Sequence, residues 1–120
     1  DLASLGLDAA AAAALPRWPG RDLSRLETAW GFAYVLEGAT LGGRLIARQV
    51  ASTLGLAPGP GLSFLEPYGG ESGALWRAFR EATREAGAAG RLDGDAVVAG
   101  ARLAFGDLAR WAARSSGAGG

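Results

Sequence analysis

The stretch Gly31-Phe32-Ala33-Tyr34-Val35-Leu36-Glu37-Gly38-Ala39-Thr40-Leu41-Gly42-Gly43-Arg44 decides the fold. Its flanks read as one long helix. Ser24 and Glu27 have capping-box spacing, so the helix is predicted to start near Leu23. It should run to about Leu54, where Gly55 takes a C-cap position and Pro58, Gly59, Pro60 and Gly61 forbid continuation. Each glycine inside a helix costs about 1 kcal/mol relative to alanine, so Gly31, Gly38, Gly42 and Gly43 together cost about 4 kcal/mol that something must offset. At 100° per residue Gly31, Gly38 and Gly42 fall within roughly 40° of one another, and Glu37, Thr40, Arg44 and Arg48 lie nearly opposite. One face of the helix is therefore bare backbone, bordered by Tyr34 on one side and Ala39 on the other. Such a face lets another helix pack closely, in the small-xxx-small manner, or lets a flat ligand approach the main chain. Adjacent glycines at 42 and 43 also allow a bend.

The rest of the chain supports an all-α class. Ala and Gly number 27 and 20, whereas Val and Ile together number only five, which leaves few of the β-branched residues that fill strands. Asp8 is a predicted N-cap for a short helix through Ala9 to Ala14, stopped by Leu15 and Pro16. Pro16 to Arg21 reads as a turn. A second amphipathic helix is predicted from Glu71 or Ser72 to Gly87, with Leu75, Trp76, Phe79, Ala82 and Ala86 on its apolar face. A third starts after Asp93 or Asp95, carries Val97, Ala101, Ala104, Phe105, Leu108, Trp111 and Ala112 on one face, and ends near Ser115. The expected organisation is one helical domain over 1–114 followed by a disordered Gly/Ser tail over 115–120.

Charge and composition exclude several functions. Twelve Arg balance six Asp and six Glu, so the chain lacks the field of a nucleic-acid or anionic-membrane binder. There is no Cys for thiolate chemistry and no His for a metal, a catalytic triad or a proton shuttle. The longest weakly charged run, Ala29 to Ile46, is interrupted by Glu37 and Arg44, so no transmembrane helix is expected. No export signal opens the chain, and a cytoplasmic location is the expectation.

Read as a string, Gly31 to Arg44 resembles the distal helix of bacterial, biliverdin-producing heme oxygenases. Phe64-Leu65-Glu66-Pro67-Tyr68-Gly69 followed by Leu75-Trp76-Arg77-Ala78-Phe79 is similar to that family's loop and next helix, and Ala101 to Trp111 to its closing pattern. Asp1-Leu2-Ala3-Ser4-Leu5-Gly6 resembles a stretch that follows the family's first helices, so the resemblance implies the later part of the domain, a helical bundle with a long glycine-kinked distal helix and without its opening helices.

The resemblance implies oxidative cleavage of heme to biliverdin, CO and iron, with O2 and electrons from a reductase or ferredoxin, and a product used for iron supply or in a phytochrome pathway. By resemblance Gly38 and Gly42 are the catalytic contacts of the distal helix, Gly43 is their flexing neighbour, Ala39 stands where many relatives have serine, and Tyr34 and Arg77 hold heme propionates. A phenol hydroxyl or guanidinium suits a carboxylate. Family members hold heme iron through a histidine on an opening helix, and this chain has no His, Cys or Met, leaving Tyr34 and Tyr68 as its only conventional axial residue types. By resemblance Tyr34 falls on the distal side and is not expected to be a ligand. No other metal site is expected. The open alternative is an inactive heme oxygenase-like protein that uses the glycine face to pack a partner helix. On residue type and spacing alone Tyr34 reads as a buried aromatic with a satisfied hydroxyl and Arg77 as half of a surface pair with Glu81, and Phe105 is expected to be a core aromatic rather than a pocket residue.

Overall fold

The computed structural model describes residues 1–57 and 59–117. Pro58, one of the predicted helix stops, lies outside the described residues. Four α-helices account for most of the chain: α1 (Ala9–Ala14), α2 (Leu26–Leu54), α3 (Ser72–Ala88) and α4 (Gly94–Gly117). Single 3-10 turns stand at Ala3–Leu5 and Gly69–Glu71, and no strand occurs among the described residues. The chain is all-α, as its composition implies.

Local chemistry explains the helix ends. Asp8 accepts from the N–H of Ala11 at 2.7 Å and caps α1. Asp93 accepts from Asp95 and Ala96 at 3.0 and 3.3 Å and caps α4. α2 starts at Leu26 rather than near Leu23, and the capping box does not form as expected. Asp22 accepts both the N–H of Ser24, at 2.9 Å, and its hydroxyl, at 3.1 Å, in an Asx turn that diverts the serine from the helix end. α2 does end at Gly55, whose φ of 65° is left-handed, with the N–H of Leu56 donating back to the Ala51 carbonyl at 3.0 Å. α3 passes through Gly87, the expected stop, to Ala88, and is closed by Gly90 in the left-handed region, φ 69°. There Arg91 donates to Ala86 at 2.9 Å and Gly90 to Gly87 at 3.0 Å, the pair of bonds of a Schellman motif. α4 extends through Gly117, so residues 115–117 of the expected disordered tail are helical. Residues 118–120 lie outside the described residues.

The chain divides into two compact units, Asp1–Leu15 with Gly38–Arg77, and Pro16–Glu37 with the residues from Ala78 onward. In the second unit Phe32, Val35 and Ala104 are buried, with Trp18, Ala101 and Leu108 packed against them, and Trp18 stacks on Phe32 at 5.8 Å between ring centroids. A second cluster joins Ala86, Leu92 and Val97 to Trp30. The Trp30 indole N–H donates to Thr83 Oγ1 at 2.9 Å, and that hydroxyl donates to the Phe79 carbonyl at 2.8 Å, so the buried side of the indole has its polar atom satisfied. At the edge of the unit Arg21 holds Asp107 through Nε at 2.5 Å and Nη2 at 2.9 Å, and Arg110 adds a third bond at 2.6 Å.

In the first unit the Asp1 carboxylate accepts from the N–H groups of Ser63 and Phe64, at 3.1 and 2.7 Å, and from the Ser63 hydroxyl. These bonds fix the turn in which Leu65 and Glu66 both donate to the Leu62 carbonyl. Leu62 and Ala47 are buried there, and Glu66 pairs with Arg44 at 3.7 Å.

Candidate functional site

Neighbouring atoms assign a separate task to each of the four helix glycines. Gly31 is a packing glycine of the second unit. A Cβ there would collide with the Ala101 nitrogen and stand 2.5 Å from the Gly100 carbonyl carbon and 2.6 Å from the Val97 oxygen. Gly43, in the first unit, is buried, and a Cβ there would collide with the Leu65 carbonyl. It is the seat of the 62–66 turn, which accounts for a glycine at 43 without any flexing role. Gly38 faces the Trp76 indole, with Cη2 3.3 Å from where its Cβ would be. At Gly42 a Cβ would meet nothing within 4 Å. The bare face inferred from the helical wheel thus divides into two contacts, at Gly31 and Gly38, and one opening, at Gly42, while Gly43 packs about 100° further round the helix.

The opening has an apolar border. Within about 60° of Gly42 on the helix lie Gly38, Ala39, Leu45 and Ile46, and of these Ala39, Leu45 and Ile46 are exposed, Leu45 by 71%. Exposed large apolar side chains beside uncovered backbone make a surface suited to a flat, largely apolar ligand. Arg77 belongs to the same unit, follows Trp76 on α3, is exposed, and makes no ion pair with any described residue. The expected pairing with Glu81 is not what that carboxylate does, since Glu81 pairs with Arg84. The structure therefore brings Gly38, Ala39, Gly42, Gly43 and Arg77 into one unit, with Gly43 consumed by packing.

Tyr34 belongs to the second unit and is 42% exposed, which removes the reading of a buried core aromatic. It borders an apolar groove of about 450 Å³ with Thr83, Leu92, Val97, Ala101 and Phe105. Phe105 is 60% exposed on that groove, so it is a groove residue and not part of the core. Leu75, Ala82 and Ala112, expected on buried faces, are exposed as well. Among the described residues no group of three or more His, Cys, Asp or Glu side chains could hold a metal ion, and no helix is long and apolar enough to cross a membrane.

Sequence reasoning missed two participants. Trp76 reads as one more apolar position of α3, and nothing in its spacing signals that its ring lies over Gly38. Leu65 acts through its carbonyl, which carries no side-chain signal at all.

With this geometry in hand, comparison with known proteins is informative. Residues 3–114 match the family described as Heme oxygenase. No curated protein and no solved structure matches the chain.

Proposed function

Because the chain belongs to the heme oxygenase family, matched over residues 3–114, we propose that it supplies the distal side of a site where heme is cleaved to biliverdin, CO and iron. The observation that carries this reading is the open backbone at Gly42, flanked by exposed Ala39, Leu45 and Ile46. Heme is the substrate and brings the chemistry with it, O2 being the oxidant and a reductase or ferredoxin the electron donor.

The chain's own residues supply binding and orientation. Gly42 leaves room over the porphyrin face for oxygen and water, because its Cβ position is empty. Backbone groups, not a hydroxyl, border that space, since residue 39 is alanine. Leu45 and Ile46 cover porphyrin edge and exclude water by apolar contact. Arg77 offers a guanidinium with no ion-pair partner among the described residues, suited to a propionate carboxylate. The distal face fits a porphyrin, whereas an axial imidazole has no donor among these 120 residues. Soluble, cytoplasmic action in a bacterium completes the reading.

The test is Gly42→Phe in the native protein, followed by hemin titration at the Soret band and by biliverdin formation. The expected result is loss of heme degradation with helix content unchanged, because position 42 opens on empty space. Unchanged turnover would remove the site assignment.

A second reading has its own support, since three of the four glycines are accounted for by packing and the chain has no His, Cys or Met. In that reading the Gly42 face packs a partner helix in a catalytically inactive relative. It predicts no hemin affinity and a mass in solution that rises with concentration.

A further inference from the structure

The two glycines assigned to the distal face differ in what stands over them. Gly42 faces empty space, whereas the Gly38 Cβ position has Trp76 Cη2, Cζ3 and Cζ2 at 3.3, 3.6 and 3.8 Å. Those three atoms form the far edge of the indole, so the benzo ring itself covers the bare backbone of Gly38. Both residues lie in the first unit, on α2 and α3 respectively, and Trp76 immediately precedes Arg77. The ring is half-buried and sits on a helix, and an indole turns about only two side-chain torsions, so it is a stiff obstacle. A flat ligand resting on Gly42 thus has open space over one turn of α2 and an aromatic edge over the preceding turn.

Resting on the functional reading above, we propose that Trp76 is a positioning residue that limits how the porphyrin turns in its own plane, and so selects the meso carbon at which the ring is opened. A bulky wall at one end of a face makes the in-plane orientations unequal in energy, and a difference of 1.4 kcal/mol is already a tenfold preference. Arg77, next in sequence, can anchor a propionate, but one anchored edge leaves the ring free to turn in its plane about that anchor. The wall removes that freedom.

The test uses the native protein with hemin and the variants Trp76→Ala, Trp76→Leu and Trp76→Phe. One readout needs no turnover, namely the heme methyl resonances of the cyanide-inhibited ferric complex, which count the in-plane orientations. The other is the biliverdin isomer composition by chromatography. The parent is expected to show one dominant orientation and one isomer. Trp76→Phe should keep both, and Trp76→Leu, which removes the benzo ring but keeps an apolar side chain, should give a mixture in both, as should Trp76→Ala where it folds. A residue with only a structural role would lower stability or turnover and leave the isomer unchanged, and that result overturns the proposal. A parent that already binds hemin in mixed orientations overturns it too. If the parent takes up no hemin, the functional reading fails and this inference falls with it. If the parent binds and the variants keep its pattern, only the role of Trp76 is lost.

Discussion

Gly31 and Gly100 bring two helices into backbone contact. A Cβ on Gly31 would stand 2.5 Å from the Gly100 carbonyl carbon, and a Cβ on Gly100 would stand 2.9 Å from the carbonyl oxygen of Glu27 and 2.9 Å from the Cα of Thr28. Neither contact involves a flexible side-chain tip, so neither side can yield without moving main chain.

The first prediction follows from that crossing. Gly31→Ala and Gly100→Ala each gain helix propensity of about 1 kcal/mol, yet each forces backbone apart in a close-packed unit, where overpacking costs about 1 to 3 kcal/mol and sometimes more. The clash is with main chain, so it wins. Both variants should be destabilised by about 2 kcal/mol or more in urea melts, and the double variant by less than the sum, because one displacement of the helices relieves both. Parent-like stability of either single variant would contradict the crossing.

Gly42→Ala should behave in the opposite way. Its Cβ enters empty space, so only the propensity gain remains, and stability should rise by about 1 kcal/mol. The same methyl intrudes on the face assigned to heme, so heme degradation should fall while the denaturation midpoint rises. A stabilised variant with undiminished turnover would mean that Gly42 borders nothing in the reaction.

Acid should weaken the second unit through Asp107. Hydrogen bonds from Arg21, reinforced by Arg110 and opposed by burial, hold its carboxyl at about 2, below its ordinary 3.8. The unfolded chain therefore takes up a proton at higher pH than the folded one. The stabilisation is present above about pH 4 and is lost as pH falls through about 2. Asp107→Asn should destabilise at neutral pH and progressively less below about pH 4, until parent and variant converge. Urea midpoints measured at neutral pH and near pH 2.5 decide this, and a constant gap between the two proteins would show that the charge on Asp107 contributes nothing to stability.

Sequence patterning revealed what depends on near neighbours. Asp8, Asp93 and Gly55 act at the ends of helices as their types and positions imply, because a cap needs only the turn beside it. It failed where two local options compete: Ser24 could cap Glu27 or bond Asp22, and the nearer carboxylate won. Gly87 and Gly90 could each end α3, and only the second takes a left-handed φ. The candidate site was half legible. A helical wheel puts Gly31, Gly38 and Gly42 together, but their partners are Gly100, Trp76 and empty space, and the first two lie 69 and 38 positions away in the chain. Spacing marks a glycine face without saying what fills it. Leu65 was invisible for a stronger reason, since a carbonyl is common to every residue.

The last prediction concerns that carbonyl. The 62–66 turn presses Leu65 onto Gly43 and is held by the Asp1 carboxylate, which accepts from two N–H groups and one hydroxyl, and by the Arg44–Glu66 pair at 3.7 Å. The two restraints differ in strength. Arg44 and Glu66 are 43% and 34% exposed, a setting in which an ion pair contributes only about 0 to 1 kcal/mol. Asp1 instead satisfies two backbone donors at once, and removing such an acceptor costs about 1 to 3 kcal/mol where the donors stay dry, less where water replaces it. Glu66→Gln should therefore leave stability nearly unchanged. Asp1→Ala should loosen the turn, seen as faster hydrogen exchange at the amides of Ser63 and Phe64, and Gly43→Ala should loosen it further by expelling the Leu65 carbonyl. Slow exchange at both amides in Asp1→Ala would show that the turn is held by Leu62 burial alone.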